Sequence, residues 1–488
     1  MNKIEQFRKE VIDERFKNLQ LKCTDLYLMC KNVKVAYRKN NRWTVLDKNL
    51  VPTNADLIAE FFVSRNNDKI VFGKQFTDEF LEELDSFEYN LSFDKITQEV
   101  VLQMIEQKKL EKVVEYTAYI NRKAEFEQRK AEFEKRKAEF ENEKFHYINQ
   151  AFIYWLSNRV LAMSRSHAKE IRNQLDIDQI ECADYKATVS LVYRAVSLCD
   201  SWWIKFGDVD PAKWEDINLF TNPLKESLAM IGLSGYGNAT IQGMQGLDGE
   251  VHVKGSFAKG WFREENNLYL YKGSKEGHNA KNEVFASNII EKYFNVYANC
   301  RYELATKTCD LDGEDIVCSK CKLFTTPEKG MVHAGEFSTV AKYKYGMTVQ
   351  EFAAQNFEIG FAQMAVLDYL LANSDRHNYN WGFYRNMSDG SINELHPLYD
   401  HNLCFSLITL KNDDVPSKLF PDMTMKEVAE KYFVPSKLQL LYEPVGNDFP
   451  TEFAYDVFMR RWNELIEKKV RNEASSNRLS ASGFFGSP

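Results

Sequence analysis

Apolar and polar positions change their period several times along this 488-residue chain, and each change predicts an element. The run Met364-Ala365-Val366-Leu367-Asp368-Tyr369-Leu370-Leu371 is almost continuously apolar and predicts a buried helix. It ends in the polar stretch Asn373 to Asn380, after which Trp381-Gly382-Phe383-Tyr384 predicts a short aromatic strand. Asp389-Gly390 predicts a turn into a further strand that leads to Asp400. Upstream, Asn267-Leu268-Tyr269-Leu270-Tyr271-Lys272-Gly273 alternates as a strand should and stops at a glycine. A helix is then expected to start at Asn282-Glu283, with Val284, Ile289 and Ile290 as its apolar positions. Ile316 to Phe324 alternates like another strand, and Asp413 to Val470 reads as helices anchored by Trp462, Leu465 and Ile466. Before residue 100 the pattern predicts a charged first helix and a hairpin over Val33 to Asp47, turning at Asn40-Asn41. Short helical or strand pieces follow Asp56. The picture is α+β.

Lys123 to Lys144 breaks this alternation. Lys-Ala-Glu-Phe-Glu recurs three times at a seven-residue interval, with Phe126, Phe133 and Phe140 in register. The alanines lie nearly opposite the phenylalanines on a helix, so the seam of a coiled coil is missing. Pairs such as Glu125–Arg129, Lys130–Glu134 and Glu132–Arg136 add ~0.2–0.5 kcal/mol each to an isolated helix. A long charged helix from about Gln103 to Tyr154 is expected. It is either an arm docking a partner through its Phe stripe or a solvated spacer.

Chemistry enters with order along the chain. Asp375, Asn380 five residues later and Asp400 are the groups that phosphoryl transfer from ATP requires. One carboxylate orients the attacking hydroxyl, while an amide oxygen and a second carboxylate hold Mg2+. Lys272 at the strand end can reach the α- and β-phosphates, and Glu283 is placed to fix its ammonium. Two glycine-rich stretches compete to cover the phosphates. Gly232-Leu233-Ser234-Gly235-Tyr236-Gly237 has the weaker pattern. Lys254-Gly255-Ser256-Phe257-Ala258-Lys259-Gly260-Trp261, read as lying directly before the Lys272 strand, is preferred for its backbone N–H groups, its hydroxyl and Lys259.

The ordered set Gly255-Ser256, Lys259, Trp261, Leu270-Tyr271-Lys272, Glu283-Val284, Ala286-Ser287, Asn373, Asp375-Arg376-His377, Asn380 and Pro397-Leu398-Tyr399-Asp400 resembles the HipA-like kinase family, in the branch with an Arg-His pair after the catalytic Asp. Tyr27 to Asn32 with Val35-Ala36 resembles that family's first strand pair, and Arg159 to Arg165 its helical Arg segment. Ser197 to Trp203 and Trp214 to Phe220 resemble the stretch before its phosphate loop. The resemblance runs, with a break, from about residue 25 to about residue 405. It implies a two-lobed, protein-kinase-like fold with a mainly helical C-terminal lobe, plus an N-terminal α/β region and the long charged helix. It implies transfer of the ATP γ-phosphate to a Ser or Thr hydroxyl of a protein, with some members acting in toxin–antitoxin systems. The implied site is Asp375, Lys272, Glu283 and Asn380 for catalysis. Lys254, Gly255, Ser256, Lys259, Lys272 and His377 would hold the nucleotide, and Asn380 and Asp400 the metal. Better-known members carry a regulatory Ser directly before the phosphate-loop Gly, where this chain has Lys254 and its nearest hydroxyl is Ser256. Silencing by autophosphorylation is therefore not carried over.

The implied organisation is an N-terminal α/β region over 1–102, the charged helix over 103–154, and a kinase N-lobe over 155–324. A helical C-lobe over 325–473 and a disordered tail over 474–488 complete it. The Asp-Arg-His-x-x-Asn string also resembles the catalytic loop of phosphoinositide kinases. Lys+Arg 63 against Asp+Glu 71, with no polybasic run, gives little to attract a membrane and favours a protein substrate. The third alternative is a non-catalytic nucleotide-binding scaffold that works through its helical arm, where an antitoxin or a second copy would dock.

Composition narrows the rest. Hydrophobic content of 44% and aromatic content of 14% supply ample core for about two to four domains. A net charge of −8 argues against direct nucleic-acid binding. Met1 to Asn18 lacks an apolar signal core and the apolar runs are too short to span a bilayer, so a cytoplasmic location is expected. Nine cysteines are scattered from Cys23 to Cys404 without a disulfide framework. Cys318-x-x-Cys321, with Cys300 and Cys309 upstream, reads as a strand or adenine hinge in preference to a zinc site.

Overall fold

The computed structural model describes residues 25–52 except 41, 151–175, 185–236 and 247–482 except 252, 254, 274–276 and 310–312. It adds residues 3–7, 63–66 and 69–72, and scattered positions within 124–149. Helices and antiparallel sheets are mixed in an α+β arrangement. No helix among the described residues is long and apolar enough to cross a membrane.

The first sheet is formed by β1 (Leu26–Cys30), β2 (Val33–Lys39) and β3 (Arg42–Val45), and β6 (Trp202–Lys205) adds to it from far along the chain, in the order β3-β2-β1-β6. Lys39 pairs with Arg42 and Asn40 has φ 50°, so β2 and β3 form the hairpin that the sequence predicts. β4 (Val63–Asn66) and β5 (Lys69–Phe72) form a separate hairpin. Leu28, Val35, Trp43, Phe152 and Trp202 fill the core behind the first sheet.

The second sheet, in the order β7-β8-β10-β9, contains Lys259 and Lys272. It comprises β7 (Lys259–Glu264), β8 (Asn267–Gly273), β9 (Tyr302–Thr308) and β10 (Asp315–Lys322). β8 has the bounds that its alternation predicts. Helix α1 (Glu226–Ser234) lies against β7. A side chain at Gly260 would meet the Ala229 backbone, so glycine is what permits this approach. α1 also contains Gly232, and Gly235 caps it in the left-handed region, so the described part of the weaker glycine stretch is a helix end. Helix α2 (His278–Tyr293) packs across β9 and β10. It begins a full turn before the expected Asn282, because Gly277 (φ 72°) supplies the N-terminal turn. Glu283 therefore sits inside the helix, facing the sheet.

The apolar run becomes helix α3 (Glu358–Leu370), buried almost throughout. It packs against α4 (Met425–Tyr432) and α5 (Glu452–Ser482), where Phe458, Trp462 and Leu465 close the core. Residues 433–451 between these helices are mostly irregular, which narrows the helical reading of Asp413 to Val470. α5 runs beyond Ala474, where a disordered tail was expected, because no Gly or Pro interrupts the chain before Gly483. A third sheet, β11 (Lys329–His333), β12 (Gly382–Asn386) and β13 (Ile392–Leu395), flanks this helical body.

Described positions between Ala124 and Ala138 are helical and exposed, whereas Phe126, Phe133 and Phe140 lie outside the described residues, as does most of the expected long helix. Arg159 to Arg165 is not helical. Two buried ion pairs dictate its path: Arg159 to Asp200 at 2.6 Å and Arg165 to Glu250 at 2.6 Å. Groups so far from water are stable only when paired and geometrically held.

Residues 197–201 bind the first sheet to the segment between β10 and β11. Met331 N donates to Cys199 O at 2.7 Å, Ser201 Oγ donates to Pro327 O at 2.6 Å, and Thr325 Oγ1 donates to Leu198 O. Lys31 adds a bridge to Glu328 at 3.0 Å.

Candidate active site

Strand register brings the first two cations together. Lys259 on β7 pairs with Lys272 on β8, which pairs with Ser319 on β10, so three polar side chains share one face of the sheet. Two lysines directly opposite each other repel. Both are only 8% exposed, so anions must offset the charge. Glu283, 0% exposed, meets Lys272 Nζ at 2.7 Å from α2, and Asp400 Oδ1 meets the same nitrogen at 2.7 Å. Ser319 Oγ donates to the second Glu283 oxygen at 2.5 Å. Burial alone would lower the Lys272 pKa, but Asp400 and Glu283 outweigh it and hold the ammonium well above its ordinary value. Burial likewise opposes charge on Asp400, yet the ammonium groups of Lys272 and Lys259 keep its carboxyl well below the usual range. Lys259 behaves differently. Burial, with Lys272 beside it, pushes it down to about 8.

The glycine stretch precedes β7, not the Lys272 strand, which follows one hairpin later. Gly255 has φ 92°, and a side chain there would strike Lys259 Nζ, so the loop folds directly over that ammonium. Ser256 O accepts from Ser166 N at 2.8 Å, and Arg165 donates to the Lys259 carbonyl, so the Arg165–Glu250 pair underlies the loop. Lys254 lies outside the described residues.

The polar stretch after α3 forms a tight loop. Ala372, with φ 56°, turns the chain out of the helix. Asn373 Nδ2 donates to Asp368 Oδ1 at 2.9 Å, and Asn373 Oδ1 accepts from Asp375 N at 3.3 Å. Arg376 is buried. Its Nε donates to Asp368 at 3.0 Å, and its NH1 donates to the carbonyls of Asn380 at 2.6 Å and Tyr399 at 2.7 Å. One guanidinium therefore fixes the loop and the residue before Asp400 to each other. Asp400 itself has φ 61°, a conformation a non-glycine residue holds only where its surroundings over-determine it. Here these are Lys272 and the Tyr302 hydroxyl, which accepts from Asp400 N at 3.3 Å.

Asp375, Asn380, His377, Asp400, Lys272, Lys259, Gly255 and Ser256 all line one cavity of about 280 Å³. Leu198, Val253, Leu270, Leu323, Phe324 and Met331 form its apolar part. Charged and apolar groups thus line the same cavity, a common combination in a small-molecule site. Glu283 stands behind Lys272 and does not line the cavity. Asn380 Nδ2 donates to the Asp375 carbonyl at 2.9 Å, which leaves the Asn380 side-chain oxygen Oδ1 and the second Asp400 oxygen as hard donors for a cation such as Mg2+.

Cys318 and Cys321 lie in β10, and the seven described cysteines are all unbridged. Among the described residues no group of three or more His, Cys, Asp or Glu side chains is arranged to hold a metal. Both cysteines thus sit in a strand, and the segment after β10 supplies Leu323 and Phe324 to the cavity lining.

Sequence reasoning missed four supports: Asp368, Ser319, the Arg165–Glu250 pair and the wall made by residues 197–199. Only Asp368 left a signal, as a lone carboxylate inside an apolar helix, where burial demands a partner.

No protein-family model matches the chain, and no curated protein matches it by sequence. Among solved structures, the chain is similar to the proinflammatory kinase CtkA of Helicobacter pylori, with a TM-score of 0.29 and 17% identity, over 43% of this chain and 90% of that one. It is also similar to HipA of Shewanella oneidensis MR-1, solved with HipB and operator DNA of that toxin–antitoxin system. There the TM-score is 0.36 and the identity 14%, over 64% of this chain and 77% of that one.

Proposed function

We propose that this chain is an ATP-dependent phosphotransferase of the protein-kinase type, acting on a protein Ser or Thr hydroxyl. The second sheet with α2 forms one lobe and the helical body the other. The observation that carries the reading is the convergence of Lys259, Lys272 and Asp400 with Asp375 and Asn380 in a single cavity that Leu198, Leu270, Leu323 and Phe324 also line. Two buried ammonium groups beside the free oxygens of Asp400 and Asn380 suit a triphosphate that arrives with Mg2+, whose charge would offset that of the phosphates and the carboxylates together.

In this reading Leu198, Leu270, Leu323 and Phe324 enclose the adenine. Lys272, braced by Glu283, holds the phosphates, and the backbone over Lys259 covers them. Asp400 and Asn380 would hold Mg2+, which supplies neutralising charge on the phosphate oxygens. Asp375 takes the proton of the acceptor hydroxyl. Phosphoryl transfer asks little covalent chemistry of a protein, so positioning and charge do most of the work.

Purified protein given ATP labelled at the γ-phosphate should label itself or an acceptor protein only when Mg2+ is present. Absence of both transfer and phosphate release would overturn the reading and leave a nucleotide-binding scaffold.

Lys259 gives a signed pH dependence. Its ammonium loses its proton near pH 8 in the free protein, so anion affinity falls as pH rises. ATP affinity measured calorimetrically from pH 7.5 to 9.5 should weaken, by up to about tenfold per pH unit above 8. Lys259→Arg should flatten that slope.

A further inference from the structure

We infer that Lys418 is the positioning residue for the Asp375 carboxylate, an inference that rests on the phosphotransfer reading above. Lys418 is 43 residues from Asp375 along the chain and outside every motif quoted above, yet its Nζ makes an ion pair with Asp375 Oδ1. The other polar neighbours of that carboxylate are distant. Asn380 Nδ2 lies 3.4 Å from Oδ2, and His377 Nε2 lies 3.9 Å from it. Lys418 thus decides how the group is turned.

The lysine is presented on a braced segment. Pro416 bridges to Thr424, and Ser417 N donates to Met423 O at 2.9 Å. Ser417 and Leu419 on either side of it are buried, and Leu419 O accepts from Gln350 Nε2 at 2.9 Å. The same Gln350 amide donates to Asn378 Oδ1 at 3.1 Å, joining this segment to the loop that carries Asp375. The Lys418 side chain itself is 54% exposed, and a pair of that exposure adds little to folding. Its placement is therefore better matched to orienting a reacting group.

With Oδ1 engaged, rotation of the carboxylate is blocked and Oδ2 remains on the Asn380 side. In the transfer, the acceptor oxygen bonds to the γ-phosphorus as the bond to the ADP oxygen breaks, and the hydroxyl proton passes to Oδ2. Lys418 acts on this step alone and leaves ATP binding untouched.

The test compares wild type, Lys418→Met, Lys418→Arg, Asp375→Ala and the Met/Ala double variant, reading the release and transfer of γ-labelled phosphate from Mg-ATP. Lys418→Met should lower kcat about tenfold to hundredfold, with KM for ATP within about twofold of wild type. The arginine variant should recover most of that loss, and melting temperatures should agree across the set. The double variant should be no slower than Asp375→Ala, because a residue acting only through Asp375 has nothing left to position. The inference is overturned if Lys418→Met matches wild type, if it raises KM at unchanged kcat, or if its loss multiplies that of Asp375→Ala. An inert wild-type protein would overturn the underlying phosphotransfer reading as well, which separates the two failures.

Discussion

Asp375→Ala is expected to lower the phosphoryl-transfer rate by about 10²–10⁴-fold, the usual contribution of a positioned proton acceptor, while ATP binds as before. The reason is positional. Asp375 lines the cavity but bonds neither Lys272 nor Asp400, so its removal leaves the groups facing the phosphates intact. The loop does not depend on its side chain either. Arg376, Asp368 and Asn373 hold the backbone, and the Asp375 carbonyl still accepts from Asn380 at 2.9 Å. Labelled-phosphate kinetics together with calorimetric ATP titration would check both halves. Loss of ATP binding in this variant would assign Asp375 to the phosphates instead.

Asp400→Asn should cost about hundredfold or more in turnover and should also weaken ATP binding that depends on Mg2+. Asparagine keeps the shape and tolerates the left-handed backbone at this position, where φ is 61°. What disappears is one negative charge, the one that faces two lysines. Lys272 keeps Glu283 at 2.7 Å, but two buried ammonium groups then share one carboxylate, so the protein without ligand should melt below wild type. A titration of ATP with and without Mg2+ reads the effect directly. If the metal dependence of binding is unchanged, Asp400 is not a metal ligand.

The parts of this arrangement that could be read in the sequence are those set by local pattern and order. Alternation marked β8, a continuous apolar run marked α3, and the spacing of Asp375, Asn380 and Asp400 suggested a site before any geometry was visible. Register could not be read. That Lys259 stands beside Lys272, and Ser319 beside both, follows from how three strands align, which no single strand encodes. Lys418 and the Arg165–Glu250 pair come from segments whose proximity depends on the folded chain. The start of α2 was misplaced because Gly277, in a left-handed turn, does the work usually given to a polar capping side chain. Arg159 to Arg165 resembles a helical segment in its residues, yet its buried partners, Asp200 and Glu250, pull it into turns.

The stitching of residues 197–201 onto the segment ahead of β11 has a practical consequence. Leu198 and Cys199 belong to the first sheet's side of the molecule and still form part of the cavity wall. A shortened protein beginning at Trp214 would retain the charged lining residues and lose Leu198 and Cys199 from the cavity wall, together with Arg165 beneath the loop over Lys259. Trimming from the front should therefore erode nucleotide affinity well before it reaches the first lysine.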